Sequence, residues 1–476
     1  MRTTQPTYKE VYSMPNRIAR RFGRGGAILA ASALLLSACS VDKVLRVPDQ
    51  DVSHPTDITG KAGLPTLLAA AIGDFQVAFA GTGSGTDEGL VNMTGLFTDE
   101  FSFTETFPTR VEVDRRNIDV NNSTMSNIYF EVQRARQSTF RAESAYAALA
   151  PTDKNYSEAL SLEGYSWLLI AEVYCSGVGI TKFDASSNII SGAPLTTQQM
   201  LDSALDRFTK ALAVAKANNS SFLANLARVG TARALLFKSN TNLAAAADTV
   251  KAVTPDFVYN VFSSSNTTRQ NNGVFELQWN EGRWAQAHLE GGVGLPFRNG
   301  CVSGQTVADG CDPRTPYDTL GLGFDQQRPV YGTLKYSNRD APTVLADYTE
   351  AQLIIAESQL ATNYAGANGT LVILNNLRST VGLPPLAPAV GFQAQLLQLF
   401  SERAFWLYAT AHREGDLRRL VRAAPAGYGI ATNAVWPNGT YKGRGGGIYG
   451  TDVNFPIPLD ESNANPQVNG CLDRNP

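Results

Sequence analysis

Residues 204–237, ALDRFTKALAVAKANNSSFLANLARVGTARALLF, contain two successive helical patterns. In the first pattern, apolar side chains recur at the three- to four-residue spacing of one helical face. The second keeps this spacing from Leu223 to Phe237, and Gly230 on the same face would let a neighbouring helix approach closely. A short polar link separates the two patterns, so the segment predicts a pair of antiparallel helices.

The same periodicity predicts helices on both sides of this pair. The segments are LPTLLAAAIGDFQVAFA (64–80), NIYFEVQRARQSTFRAESAYAAL (127–149), EALSLEGYSWLLIAEVY (158–174) and the run from Leu371 to Val381, which Gly382 and Pro384 end. We therefore predict a mainly α fold, in which tetratricopeptide-like helical hairpins form a scaffold with minor β structure and long irregular loops. The scaffold covers about 61–260 and 341–424, without the regular period of about 34 residues that tetratricopeptide repeats have.

Three less periodic segments, at about 81–125, 261–340 and 425–476, are predicted to be irregular and to face a ligand. Within 261–340, GVFELQW (273–279) is the one run with the pattern of a strand. Flat aromatic faces suit the apolar side of a sugar ring, and short polar groups suit its hydroxyl groups. The candidate ligand contacts are Trp279, Trp284, Tyr317, Tyr331, Trp436, Asp99, Glu100 and Phe101. For the last three, packing of their loop onto the helices explains the residues equally well.

The N-terminal residues have the pattern of an export signal. Arginines within residues 17–24 precede an apolar stretch, 27–36, which is too short to span a bilayer. The tetrapeptide Leu36-Ser37-Ala38-Cys39 resembles a bacterial lipobox, which implies cleavage before Cys39 and lipidation of its sulfur. The alternative is an ordinary secretory signal with a chance cysteine. The predicted divisions are a signal at 1–38, with Met1 or Met14 as the start, a lipid-anchored linker at 39–60 and one domain at 61–476.

The charge of the exported part bears on its partners. Removing residues 1–38, which carry six basic residues and one acidic residue, takes the formal net charge from −3 to −8. An acidic chain argues against nucleic acid as a partner, because phosphate binding needs a basic face. We predict that no other apolar run is long enough to be a transmembrane helix, so the lipid alone would attach the protein.

Four cysteines remain after Cys39, an even number that suits an oxidising compartment. Three pairing schemes are possible. Cys301 and Cys311 flank a short glycine-containing loop and are the favoured pair, which would leave Cys175 with Cys471. The chain has only three histidines and no CxxC spacing, so we predict no metal site and no cofactor.

A charged segment near residue 410 suggests two interpretations. Its members are Glu402, Arg403, His412, Arg413, Asp416, Arg418 and Arg419. On one continuous helix, Glu402 and Asp416 would lie about 21 Å apart, whereas a glycosidase carboxylate pair needs roughly 5 to 10 Å. We therefore predict a structural network rather than an acid–base pair. Trp167 and Trp406 fall within predicted helices and are assigned to the core.

Three segments, in this order behind the lipobox, carry a family resemblance. They are LADYTEAQLIIAESQLATNYAGANGTLVILNNLRSTVGLPPL (345–386), SERAFWLYATAHREGDLRRLVR (401–422) and FPIPLDESNANPQV (455–468). The set resembles the SusD/RagB family of nutrient-binding outer-membrane lipoproteins over essentially the whole exported chain. One departure is Ala409-Thr410-Ala411, which replaces the family's usual acidic-glycine step before the His-Arg pair.

The resemblance implies a SusD-like helical scaffold, lipid-anchored in the outer membrane at the cell surface, with an irregular ligand-binding face. Members of this family are not enzymes; they bind oligosaccharides, or in some cases peptides, over a SusC-like TonB-dependent transporter that imports them. The loops of the ligand face match no family motif, so no binding residue is transferred. Two other interpretations stay open. One is a tetratricopeptide-type scaffold lipoprotein for envelope assembly, and the other is a secreted helical glycosidase with two facing carboxylates.

Overall fold

The segments with helical periodicity are helices in the computed structural model, which confirms the mainly α class. The structure describes residues 60–85, 87–183, 189–289 and 294–476, which lie within one compact unit. Among them, the α-helices in chain order are α1 (Leu64–Ala80), α2 (Gly89–Phe97), α3 (Pro108–Asp114), α4 (Ser123–Leu149), α5 (Lys154–Val173), α6 (Thr197–Ala217), α7 (Ser221–Lys238), α8 (Leu243–Val250), α9 (Gly273–Phe275), α10 (Tyr348–Gln359), α11 (Thr370–Thr380), α12 (Phe392–Trp406), α13 (Arg413–Val421) and α14 (Leu459–Ala464). The predicted signal and Cys39 lie outside the described residues.

Side chains at the helix starts determine where the scaffold helices begin. Asn122 and Asp153 accept hydrogen bonds from backbone N–H groups in the first turns of α4 and α5. Thr196 forms a capping box with Gln199 at the start of α6, and Ser220 caps α7. These caps satisfy backbone donors that have no partner inside the helix. The connections from α4 to α5 and from α6 to α7 are short, so each pair is antiparallel.

The two helical hairpins meet around Phe208 of α6. Its ring packs edge-on against Tyr165 of α5, with 5.0 Å between the ring centroids. A Cβ atom added to Gly230 would come within 2.4 Å of the Phe208 ring, and one added to Gly164 within 2.7 Å. Both glycines therefore permit the close approach of α6 to its neighbours, and for Gly230 this confirms the expectation from the sequence.

Helix α1 and the turn before it, Lys61–Ala80, are long and apolar enough to cross a membrane by composition. The prediction that no other apolar run has this character is therefore wrong. Half of its most apolar window is buried inside the fold. Leu68, Phe75 and Phe79 belong to the hydrophobic core, where α1 packs against α4. The apolar composition of α1 thus has a packing explanation within the folded domain.

All three segments predicted to be irregular contain regular elements, and 425–476 includes α14. The segment 81–125 includes α2 and α3. GVFELQW (273–279), predicted as a strand, is instead α9 followed by a π-helical turn, Glu276–Asn280. The Asn272 side chain accepts a hydrogen bond from the backbone N of Phe275 at 3.0 Å, and this cap starts a helical turn where a strand was expected.

Apart from β9, the described strands are short, and the sheets are small. In chain order they are β1 (Phe101–Phe103), β2 (Val178–Gly179), β3 (Lys182–Phe183), β4 (Ile189–Ile190), β5 (Pro194–Leu195), β6 (Val258–Val261), β7 (Trp284–Gln286), β8 (Gly300–Val302), β9 (Asp312–Leu322), β10 (Pro329–Thr333) and β11 (Thr343–Asp347). β9 lies between β10, its antiparallel partner, and β8, which runs parallel to it. The other pairs are β1 with β7, β2 with β5, β3 with β4 and β6 with β11, all antiparallel.

Both favoured disulfides are present in the structure. Cys301 pairs with Cys311 and closes the loop between β8 and β9. Cys175 pairs with Cys471, which lies 296 residues further along the chain. This second bond joins the end of α5 to the C-terminal segment, so it connects the helical scaffold covalently to an irregular region.

The loop that contains Asp99, Glu100 and Phe101 belongs to the core, and the structure corrects the prediction that these residues contact ligand. Their side chains are at most 1 % exposed. The Glu100 carboxylate accepts a hydrogen bond from the backbone N of Ala409 at 2.9 Å, and the Glu100 backbone oxygen accepts one from Ala287 N at 3.0 Å. Glu100 therefore joins three distant segments. Burial raises the pKa of its carboxyl group to about 7.

We expect Gly230→Ala to lower the free energy of unfolding by about 1–3 kcal/mol, because the added methyl group collides with the Phe208 ring. Gly73→Ala in α1 is the matched control, since a Cβ atom at Gly73 meets no other atom within 4 Å. Alanine favours a helix over glycine by about 1 kcal/mol, so the control should be neutral or stabilising. Urea denaturation followed by circular dichroism measures both. Equal effects of the two substitutions would contradict the close packing.

We expect Glu100→Gln to change the pH dependence of stability. Because the folded-state pKa of Glu100 is raised, its stabilising contribution is complete below about pH 4.5 and is lost as the pH rises through about 7. Glutamine keeps an acceptor for Ala409 N and cannot ionise. Between pH 4.5 and pH 8, the variant should therefore gain roughly 3 kcal/mol of unfolding free energy relative to the wild type. Urea denaturation at both pH values measures this gain, and Asp256→Asn, at an exposed position, should show none.

Candidate ligand-binding surface

Two of the predicted tryptophan contacts are core residues, which corrects the prediction for them. Trp284 in β7 is fully buried, with its ring centroid 6.5 Å from that of Phe101. Trp436 is also fully buried; it packs edge-on against Phe97 at 5.3 Å, and the Arg116 guanidinium lies 4.6 Å from its ring centroid. Neither ring offers a face to a ligand, because long-range packing encloses both of them.

Trp279, Tyr317 and Tyr331 lie half-buried at the β9–β10 hairpin. Tyr317 and Tyr331, here called the tyrosine pair, contact each other edge-on at 5.8 Å, and the Arg298 guanidinium lies 4.5 Å from the Tyr331 ring centroid. Trp279 donates its Nε1–H to a backbone oxygen of β10 at 2.9 Å, and a Cβ atom at Gly332 would come within 2.9 Å of its ring. Successive strand residues point to opposite faces, so Trp279 and Tyr331 lie on opposite faces of the hairpin.

Two exposed phenylalanines and one arginine form a further aromatic feature beside the turn of this hairpin. Phe107 is 49 % exposed and Phe324 is 47 % exposed. The Arg283 guanidinium lies 4.3 Å from the ring centroid of Phe324 and 5.5 Å from that of Phe107. Cation–π attraction holds the arginine against both rings, and a large part of each ring still faces solvent. These three residues are called the arginine–phenylalanine cluster.

Carboxylates hold the arginine of this cluster in place. Arg283 donates hydrogen bonds to Glu105 and Glu281, and Arg110 donates to Glu105 and Glu88. Two guanidinium groups thus share three carboxylates, of which Glu88 and Glu105 are buried. Burial raises the pKa of Glu88 to about 7, although its pairing with Arg110 opposes this shift. Ordered ion pairs of this kind limit the rotation of the Arg283 side chain.

Backbone contacts hold the turn that carries Phe324. The backbone N of Phe324 donates to Gly282 O at 2.7 Å, and the backbone N of Asp325 donates to Thr104 O at 3.1 Å. Gly323 approaches Thr104 so closely that a Cβ atom would come within 2.8 Å of the Thr104 backbone oxygen, so only glycine fits there. The exposed ring of Phe324 is therefore preorganised, and a ligand that binds it loses little binding free energy to the ordering of the turn.

The charged residues near 410 form buried ion pairs, as the structural interpretation predicts. Asp416 accepts hydrogen bonds from Arg403 at 2.7 and 2.9 Å. Glu402 pairs instead with Arg314 at 2.6 Å and with Arg378 at 2.7 Å. Both carboxylates are thus ion-paired with arginine, and neither is free to act as an acid or a base.

The chain between these two carboxylates is not one helix, which corrects the assumption behind their expected separation. α12 ends at Trp406 and α13 begins at Arg413; between them, Ala409 and Ala411 have φ angles of 55° and 60°. Residues in the left-handed region end a helix, and alanine adopts that region at a cost of about 1–2 kcal/mol. Ala409 and Ala411 therefore occupy a strained turn between α12 and α13.

Phe324 and Phe107 are not among the ligand contacts that the sequence predicts. A signal for Phe324 exists in GLGFDQQRP (321–329), where one aromatic residue stands between glycines and polar turn residues. Such a ring has few neighbours in its own turn and is a candidate for exposure. Its contact with Arg283 depends on the pairing of distant segments, which no local pattern reveals.

The chain matches no protein-family model and no curated protein. Solved structures, in contrast, are similar to it over most of their length. A SusD superfamily protein from Parabacteroides distasonis has a TM-score of 0.62 and 14 % sequence identity, with 87 % of this chain and 99 % of that chain covered. A SusD-like protein from Bacteroides fragilis has a TM-score of 0.59 and 12 % identity, with 88 % and 98 % covered.

A third similar structure has a description that mentions a ligand class. It is a SusD-like carbohydrate binding protein from Bacteroides vulgatus, with a TM-score of 0.52, 13 % identity, and 82 % of this chain and 89 % of that chain covered. Each of these matches covers more than four fifths of the chain. The chain therefore has the SusD-like fold.

Proposed function

We propose that this protein is a member of the SusD/RagB family, a lipid-anchored protein of the outer membrane that binds oligosaccharide nutrients. It passes them to a SusC-like TonB-dependent transporter. The fold supports this proposal, since the similar solved structures include a SusD-like carbohydrate binding protein. The lipobox-like tetrapeptide that ends at Cys39 supports attachment to the membrane. Peptides are the alternative ligand class.

The arginine–phenylalanine cluster is the observation that supports oligosaccharides as the ligand class. An aromatic ring offers an apolar face that suits the C–H side of a sugar ring. Guanidinium and carboxylate groups beside the ring bind hydroxyl groups. Phe107 and Phe324 present such rings next to Arg283 and Glu281. The tyrosine pair adds aromatic surface on the same hairpin, so several sugar units of an extended ligand have partners.

Reversible binding suits this surface better than hydrolysis does. A glycosidase needs two carboxyl groups that reach the substrate, one of them able to donate a proton. Glu105 is fully buried and bound by two arginines, and Glu281 is bound by Arg283. Capture and transfer to a transporter require only contacts that form and break, without chemistry on the ligand.

We expect Phe324→Ala and Tyr331→Ala each to weaken oligosaccharide binding about tenfold, because loss of one stacked ring costs about 1–1.5 kcal/mol. A glycan array probed with the full-length protein selects the oligosaccharide, and isothermal titration calorimetry measures its affinity. Phe130→Ala is the matched control, since Phe130 is a 61 % exposed phenylalanine on scaffold helix α4. It should bind as the wild type does.

Three results would contradict parts of this proposal. Unchanged affinity in both aromatic variants would exclude this surface as the binding site. Binding to a peptide array and to no glycan would replace oligosaccharides by peptides as the ligand class. Binding to neither array would favour a scaffold lipoprotein for envelope assembly.

We expect Cys39→Ser to abolish lipid labelling and to move the protein from the membrane fraction to the soluble fraction, because lipidation requires the cysteine sulfur. Incorporation of radiolabelled palmitate and cell fractionation measure the two effects. Ser40→Ala, at the next residue, is the control and should be labelled normally. Retention of the serine variant in the membrane fraction would argue against the lipid as the anchor.

A further inference from the structure

A cavity of about 510 Å³ lies within the helical scaffold, with walls from α4, α5 and α6 and from the β2 and β5 strand region. Its volume falls within the range of small-molecule sites, about 300–1,000 Å³. It is lined by other elements than the β9–β10 hairpin, so it is separate from the aromatic surface described above.

Apolar atoms make up most of the cavity surface. Phe140 of α4 is half-buried, and Trp167 of α5 is 8 % exposed. Ile180 and Leu195 add apolar surface. Trp167 is a core residue, as predicted, and it also borders this open space. A flat ring therefore finds apolar contacts on more than one side.

The cavity also contains a buried cation. Arg136 is 4 % exposed, and its guanidinium lies 5.4 Å from the Trp167 ring centroid. It donates hydrogen bonds to side-chain oxygens of Gln133 and Gln137 and to the backbone oxygen of Thr181, at 3.0 to 3.4 Å. All three partners are uncharged. Burial lowers the pKa of Arg136, although the nearby charges of Glu163 and Glu461 oppose this shift.

The other charged groups at the cavity have counter-ions. Glu163 binds Arg207 at 2.7 Å and accepts a hydrogen bond from Trp167 Nε1 at 3.2 Å. Asp202 and Asp206, at exposed positions on α6, pair with lysines. Among the charged residues that line the cavity in the described part of the chain, Arg136 is therefore the one without an ion pair within 4 Å. A buried guanidinium group that no carboxylate contacts directly favours an oppositely charged ligand.

We propose that this cavity binds a carboxylate carried on a ring, with the carboxylate on Arg136 and the ring against Trp167 and Phe140. A guanidinium group binds a carboxylate through two parallel hydrogen bonds. The ring belongs to an aromatic acid or to a sugar acid, since both present the same carboxylate. The inference is independent of the proposed function, because it concerns a different site and a different ligand.

Isothermal titration calorimetry of the full-length protein tests the site with two acids, benzoate and glucuronate, and with their neutral counterparts, benzamide and glucose. At least one acid should bind about tenfold or more tightly than its counterpart, since charged hydrogen bonds contribute that much. Arg136→Gln should remove this preference. Arg141→Gln is the matched control, because it removes an equal charge at an exposed position of the same helix.

A second variant tests the site independently, in case Arg136→Gln does not fold. Ala193 lines the cavity at an exposed position, so Ala193→Trp should fill the opening and abolish acid binding while Arg136 stays intact. Circular dichroism checks that both variants fold. Phe324→Ala, which probes the hairpin surface, should leave acid binding unchanged.

The outcomes distinguish an aromatic acid from a sugar acid, and they show whether the proposal fails. Tighter binding of benzoate assigns an aromatic acid, and tighter binding of glucuronate assigns a sugar acid; both support the site. Failure of both acids to bind, equal affinity for acid and neutral counterpart, or acid binding that survives Arg136→Gln or Ala193→Trp would overturn the proposal.

Discussion

The hydrogen bond between the Glu100 carboxylate and the backbone N of Ala409 is the constraint on which the arrangement of the fold depends. It requires a carboxyl group in the core and two alanines in left-handed conformation, each of which costs free energy. Such strain persists only where the surrounding structure determines it. Glu100 directly precedes β1, β1 pairs with β7, and Arg283 directly precedes β7. The position of the arginine–phenylalanine cluster relative to the C-terminal helices therefore follows from this contact.

Apolar packing and buried ion pairs both hold the helical part of the protein. Glycines opposite Phe208 set the distance between helices there, and the Arg403–Asp416 ion pair joins α12 to α13. The irregular segments have few backbone ladders of their own. Arginine–carboxylate contacts, such as those of Arg283 and Arg314, tie them to each other and to the helices. Charged hydrogen bonds are directional, so they hold an exposed aromatic ring in one orientation on a chain without regular structure.

A structural element can be predicted from the sequence when the interactions that determine it are local in the chain. Helices were predictable because their apolar spacing is local, and Gly230 could be assigned a packing role for the same reason. The conformation of GVFELQW was not predictable, because a short apolar run fits a strand and a buried helical turn equally well. The binding surface was harder still. Segments far away in the chain determine that Trp284 is buried and that Phe324 is exposed. A prediction from tryptophan content alone therefore selects Trp284, whose ring is buried, and omits Phe324.

The disulfide between Cys175 and Cys471 has a consequence for how the protein matures. The first cysteine lies at the end of a scaffold helix, and its partner follows 296 residues later. In the proposed export across a membrane, the chain would expose the helical hairpins before the second sulfur emerges. The bond between Cys175 and Cys471 would then form only after nearly the entire domain has crossed the membrane.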